Sequence, residues 1–388
     1  MTAFPSRRFS PDDPLTALLI SASFGGGHRQ ASHAVAQALA QRVSLSLAQA
    51  DVVEMLTPLE RQLILGVYGF WLRYTPAAYH AFYRWTDQAS EPRIVTGSFE
   101  WLGIRTLTRQ LLHLHPRLVV STFPTSVALA HTVRQRQALN FLNALVLTDY
   151  HVHHHWARPE ADLILLPTEA TRQEMLAWGI EAERLEVTGL PVSLEVSRLS
   201  RLGCQERRSE LLQALNWAGD SAEPLILLSG GSGAYHSFDK VLGVLGNLGT
   251  RVRVLVAAGP KPQGREQIGG ADVYHLGYRQ DFPVLLAGAD LLVGKAGGMT
   301  VAEATALGVP LVVYRPIPGQ EEHNTEYLLQ RGAALWAHSP GELRGAVLSL
   351  LDGEARAKVA GAAAALGRPD AALAVASALL ARLQEAQA

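Results

Sequence analysis

LLVGKAGGMTVAEATALGVPLVVY, residues 291–314, reads as a strand, a glycine turn, a helix and a second strand. The runs 291–294 and 311–314 are apolar and too short for helices, while the stretch between them has helical length. Strand, turn, helix and strand in this order make the repeating unit of a parallel sheet covered by helices. Gly294, Gly297 and Gly298 let the backbone of the turn approach a ligand closely. The helix start behind them offers free N–H groups to an anion.

Outward from this unit the same alternation fills the chain. In the second half, strand candidates lie at 225–229, 252–257, 273–276, 291–294 and 311–314. In the first half they lie at 15–22, 45–53, 118–122, 144–148, 163–167 and 185–188. The segment 193–223 is charged and helix-prone, lacks a buried strand, and holds the linker. The alanine- and leucine-rich stretch 370–387 is a final helix. Each half therefore reads as its own doubly wound α/β domain, with boundaries at 1–195, 196–369 and 370–388 for the last helix. Ligands bind where strands of such sheets end, so the cleft between the two domains is the expected site.

Two more glycine turns follow predicted strands. SFGGGH at 23–28 precedes a helix over 30–41, and SGGSG at 229–233 follows the run 225–228. The first lacks the G-x-G-x-x-G order and an acidic residue at the end of the second strand, which weakens a dinucleotide reading. The second lacks the Gly-Lys-Ser/Thr of a nucleoside-triphosphate loop. Each turn alone fits a tight bend as well as a phosphate or sugar contact. Two in one domain favour a nucleotide.

Composition narrows the class. The chain has 388 residues, 34 basic against 35 acidic, and 48% hydrophobic residues, which fits two globular domains without a field that attracts nucleic acid. Cys204 is the single cysteine, so no intrachain disulfide forms and a reducing compartment is expected. Arg7 and Arg8 ahead of 15–22 faintly resemble a secretion signal. Asp12, Asp13 and Pro14 interrupt it, and the run reads as a first buried strand. With no run of about 18 apolar residues, no membrane span is expected.

Residues 294–333, with PGQEEHN at 318–324, resemble the donor-binding signature of processive diacylglycerol glucosyltransferases and monogalactosyldiacylglycerol synthases. SFGGGHRQA at 23–31, TDYHVHHHW at 148–156, VTGLPV at 187–192 and LGYRQDFPVLLAGAD at 276–290 agree in order. A related N-acetylglucosaminyltransferase of peptidoglycan lipid-precursor synthesis shares the broad plan. The resemblance implies the GT-B fold: two facing Rossmann-like domains with a cleft between them and a C-terminal helix crossing back. It implies transfer of a hexose from a UDP-sugar to diacylglycerol with inversion, giving a β-glycoside.

Residue by residue, the resemblance makes His28 the catalytic base. It makes Glu303 the acceptor of ribose hydroxyl bonds, with the amides of Gly298, Met299 and Thr300 toward the diphosphate. Gln320, Glu321 and Asn324 fall on sugar-hydroxyl positions and Tyr278 on the region near the base. Gly26, Gly27, Gly231, Ser232 and Gly233 complete the donor-side set, and Asp149, His153 and Trp156 form an acceptor-side set. No cofactor beyond the UDP-hexose substrate is implied. His151, His153, His154 and His155 share no single face, no cysteine accompanies them, and the chain has no Asp-x-Asp pair, so no metal is expected.

Eight of the 27 aromatic residues fall between Tyr68 and Trp85, interleaved with Arg73 and Arg84. Rings and arginines together suit the headgroup level of an anionic bilayer, and equally a pair of helices packing rings inward. The use that the resembling family makes of this region favours membrane contact, hence a cytoplasmic protein held peripherally on the cytoplasmic face. Transfer to a polyprenyl-linked acceptor and a non-catalytic nucleotide-sugar sensor stand as rival readings.

Overall fold

The computed structural model describes residues 14–23, 26–62, 66, 103–217, 223–230 and 238–386. The stretch 68–85 and the residues Gly231, Ser232 and Gly233 lie outside them. Two sheets carry the fold. The first is built from β1 (Leu15–Ser21), β2 (Leu45–Asp51), β3 (Leu118–Ser121), β4 (Leu142–Val146), β5 (Leu163–Leu166) and β6 (Leu185–Val187), all parallel, in the order β2-β1-β3-β4-β5-β6. Among the described residues its helices are α1 (Gly27–Ala40), α2 (Val52–Met55), α3 (Ile104–Leu114), α4 (Pro124–Arg136) and α5 (Glu169–Ala177). Strands β3 to β5 are buried along their whole length, which is why they read as unbroken apolar runs.

Helices α6 (Leu194–Ser200) and α7 (Cys204–Ala214) lead into the second sheet. It contains β7 (Leu225–Ser229), β8 (Val252–Ala257), β9 (Gly264–Ile268), β10 (Ala271–Gly277), β11 (Leu291–Gly294), β12 (Leu311–Tyr314) and β13 (Ala334–Ala337), in the order β13-β12-β11-β7-β8-β10-β9. All neighbours are parallel except β9 and β10. Helices α8 (Phe238–Gly246), α9 (Phe282–Gly288), α10 (Gly298–Leu307), α11 (Gln320–Leu329), α12 (Pro340–Leu351) and α13 (Gly353–Leu366) accompany them, and α14 (Ala371–Glu385) ends the described chain. The first strand of each sheet lies inside it with later strands on both sides, so strand order reverses between β1 and β3 and again between β7 and β11. Those two crevices are where such sheets receive ligands.

The chain passes between domains twice. After β6 it crosses into the second core, where Leu190, Val192, Val196 and Leu199 join the cluster around β7 and β11. After α13 it returns: Val375, Ala376 and Leu379 of α14 are fully buried in the core of the first sheet, against Ala34, Val35 and Leu39 of α1. By hydropathy the 33-residue stretch Gly353–Glu385 is long and apolar enough to cross a membrane. It folds instead as two helices of 14 and 15 residues, each short of the roughly 20 residues a span needs.

Two sequence expectations need correction here. β2 ends at Asp51, because that residue caps α2 by accepting a bond from the Val53 amide. An acidic residue therefore does close the second strand. Strands β9 and β13 were not anticipated; β9 (GREQI) is a polar edge strand and β13 (ALWA) is a short one.

Candidate active site

His28 is the second residue of α1, at the β1/β3 crevice. Its Nδ1 lies 2.6 Å from the Thr122 carbonyl oxygen. A carbonyl only accepts, so Nδ1 carries the proton and Nε2 is left with its lone pair. The Thr122 hydroxyl in turn donates to the His28 carbonyl at 3.0 Å, holding strand end and helix start together. Burial pushes the imidazole down to about 4, against the opposing influence of the Thr122 bond and the Asp51 charge. The ring is thus neutral, and a proton acceptor, at neutral pH. Phe123 meets it edge-on at 5.4 Å and Trp156 lies beside it at 6.1 Å.

Asp51 anchors the same turn from the other side. It accepts from the Ser23 hydroxyl at 2.6 Å and the Ser23 amide at 3.2 Å. These bonds and the Val53 cap engage both of its oxygens with protein groups. His153 caps the 3-10 turn His154–Trp156 by accepting from the His155 amide at 3.0 Å, and this turn brings Trp156 to His28. His155 packs instead on Arg158 and lies 3.2 Å from the Thr125 hydroxyl. Among the described residues no group of three His, Cys, Asp or Glu side chains converges as a metal site would require.

Across the cleft, α10 begins at Gly298 with no side chain capping it, which leaves its first amides open. Met299 reaches the opposite glycine turn: a methyl group on Gly27 would lie 3.4 Å from its Cγ. One turn into α10, Glu303 is only 5% exposed and has no hydrogen-bond or ion-pair partner among the described residues. Burial pushes its carboxyl up to about 8. A buried carboxyl with no protein donor is costly and is expected where a ligand supplies the donors. Thr300 stands beside Gly297 at the same helix start, and Tyr278 projects 78% exposed from the end of β10.

Gln320, Glu321 and Asn324 each bond to protein groups as well. Asn324 is fully buried: its amide donates to Asp149 at 3.1 Å and to the Ala296 carbonyl at 3.0 Å, while its oxygen accepts from the Tyr150 amide at 3.0 Å. Both amide hydrogens of Asn324 are thus spent on protein groups, and only a second lone pair of its carbonyl oxygen is left for a sugar hydroxyl. Glu321 accepts from the Ile317 amide and pairs with Lys295 at 3.3 Å, closing the turn before α11. Gln320 donates to Asp149 at 2.7 Å and keeps its carbonyl oxygen for another donor. Asp149 thus joins the two domains, and burial pushes its carboxyl up to about 6 against the pull of the Gln320 and Asn324 amides. Sequence reasoning missed Thr122, Asp51 and Lys295; Ser121-Thr122-Phe123-Pro124, a strand end running into a helix-starting proline, was the available signal for the first.

The comparisons with known proteins follow the same outline. MurG of Acinetobacter baumannii superimposes over 95% of this chain and 100% of its own at a TM-score of 0.63 and 15% identity. CalG4, the calicheamicin glycosyltransferase, does so over 96% and 99% at 0.60 and 16% identity. A UDP-GlcNAc 2-epimerase of Neisseria meningitidis, at a TM-score of 0.60, shares the fold too, so the fold alone does not choose the chemistry. Residues 28–192 match the monogalactosyldiacylglycerol (MGDG) synthase family and residues 225–372 the glycosyltransferase family 28 C-terminal domain. This makes the protein a GT-B glycosyltransferase.

Sequence relatives narrow the class. The processive diacylglycerol beta-glucosyltransferase of Staphylococcus epidermidis is 26% identical over 355 residues, covering 88% of this chain and 86% of its own length. That of Bacillus subtilis is 24% identical, covering 87% of each. Along most of its length the chain is thus similar to monogalactosyldiacylglycerol synthases and processive diacylglycerol glucosyltransferases.

Proposed function

We propose that the protein transfers a hexose from a UDP-hexose to the free hydroxyl of diacylglycerol, with inversion, giving a β-glycosyl lipid. The observation that carries this reading is the state of His28: its Nδ1 proton is committed to the Thr122 carbonyl, which leaves Nε2 as a free acceptor. The lipid hydroxyl attacks the anomeric carbon as its proton passes to Nε2. The bond from that carbon to the phosphate oxygen breaks, and UDP leaves with the electron pair. Open amides at Gly298, Met299 and Thr300 meet the charge that builds on the diphosphate. Glu303 accepts from the ribose hydroxyls, Gln320 offers its carbonyl oxygen to the sugar, and Tyr278 lies toward the base.

No metal has a part in this scheme, in keeping with the absence of an Asp-x-Asp pair from the sequence. Diacylglycerol resides in a bilayer, so the enzyme works as a peripheral protein, on the cytoplasmic face in this reading. Arg105, Arg109, Leu112 and His113 of α3 face solvent and offer a basic, partly apolar surface to anionic lipid.

Labelled UDP-glucose and UDP-galactose, incubated with the protein, mixed lipids and EDTA, test the proposal by chromatography of the organic phase. A labelled glycosyl diacylglycerol is expected, and His28→Ala should lower its formation at least about a hundredfold. Label on a polyprenyl lipid, or UDP-hexose binding without any product, would overturn the acceptor or the catalysis respectively.

A further inference from the structure

The face of α11 that carries Gln320, His323, Asn324 and Tyr327 has the spacing i, i+3, i+4, i+7, a single stripe along the helix. This stripe meets three consecutive residues of the loop after β4 in the other domain. Gln320 and Asn324 donate to Asp149, His323 stacks on His151 at 3.9 Å, and Tyr327 stacks on Tyr150 at 4.5 Å. The approach is tight. A methyl on Gly298 would fall 2.0 Å from the Thr148 carbonyl oxygen and 2.6 Å from Asp149 Oδ1. The loop also borders the base, for the Thr148 hydroxyl lies 3.3 Å from His28 Nδ1.

We propose that Asp149 is a positioning residue for the transfer, its carboxylate holding the Gln320 amide of the donor domain against the loop that borders His28. Two consequences follow from the bonding. The distance between base and anomeric carbon is set where Asp149 meets α11, because those bonds span the cleft. The amide of Gln320 is also oriented, since a side chain that donates through Nε2 to Asp149 presents Oε1 to a different partner. Turning the amide over would offer the sugar a donor in place of an acceptor. This inference rests on the glycosyl-transfer reading.

A polarity swap tests it. Gln320→Glu alone sets a second carboxylate against Asp149 and should lower kcat at least tenfold, with the Kd for UDP changed less than about twofold. Adding Asp149→Asn restores a donor–acceptor pair: the new carboxamide donates to the new carboxylate, still accepts from Asn324, and leaves one carboxylate oxygen toward the sugar. The double variant should regain at least tenfold in kcat over Gln320→Glu, with the thermal melts of the two alike. A double variant no more active than Gln320→Glu would overturn the inference, as would a rescue matched by recovery of UDP affinity. A wild-type protein without turnover would instead sink the glycosyl-transfer reading, which separates the two failures.

Discussion

Glu303 carries a cost to the fold that its proposed bond to the ribose hydroxyls accounts for. The carboxyl has an ordinary value of 4.5 and is pushed up to about 8 by burial. Between those values the unfolded chain has released the proton while the folded chain keeps it. Stability therefore falls as pH rises through that window, and below it the group has no effect. Each pH unit inside the window costs about 1.4 kcal/mol. Glu303→Gln keeps the shape without the charge, so it should melt above wild type at pH 8 and level with it at pH 4. It should also weaken UDP binding by about 0.5–1.5 kcal/mol, the worth of a neutral hydrogen bond. Melts at both pH values with UDP calorimetry check this. A stability difference independent of pH would mean that the carboxyl keeps its ordinary value in the folded chain.

At the scale of elements, α14 matters most for its distance in sequence from what it covers. Leu379 is fully buried among β1, β3, β4 and α1, over 300 residues downstream of the first of them. Leu379→Ala opens a cavity there and should destabilise by about 2–5 kcal/mol. The loss should fall on the first domain. Hydrogen exchange is expected to quicken in β1 and α1 and to stay unchanged in β7 and β11. Even quickening across both sheets would mean that the domains unfold as one unit. Elements also differ in how openly the sequence announces them. β7, β8, β11 and β12 run as the apolar pattern indicates. β9 hides because an edge strand that faces water needs no apolar face; the Gly269-Gly270 pair between it and β10 was its one hairpin signal.

For the whole molecule, the two crossings between domains touch each other. Gly189 has φ +91°, and a methyl there would lie 2.8 Å from Arg368 Cβ and 3.0 Å from Ala371 Cβ. Nearby, Ser197 and Arg201 both donate to Asp370 at the start of α14, the arginine at 2.8 Å. The outgoing and returning strands thus form one compact connection on which the domain orientation depends. Gly189→Ala meets both backbone strain, about 1–2 kcal/mol, and the crowding against Arg368. It should lower the melting temperature and alter the small-angle scattering profile with UDP binding retained. An unchanged melt and profile would show that the connection yields locally.

The sequence by itself determined the doubly wound class, the two halves and the glycine turns, whereas His28 and Glu303 became candidates through the resemblance to known glycosyltransferases. Class, halves and turns rest on local pattern: apolar runs of strand length, glycines where backbone must approach, and a spacing that repeats within a few turns. Only the tertiary structure decided what the polar groups of the cleft do. Nothing in PGQEEHN tells that Asn324 spends its amide on Asp149, 175 residues away, or that Glu321 closes its own turn. Asp51 likewise reads as one more residue of a strand until its side chain is seen to cap α2 and hold Ser23. A buried polar side chain takes whichever donor or acceptor the fold brings within about 3 Å, and that choice is made by segments far apart in the chain.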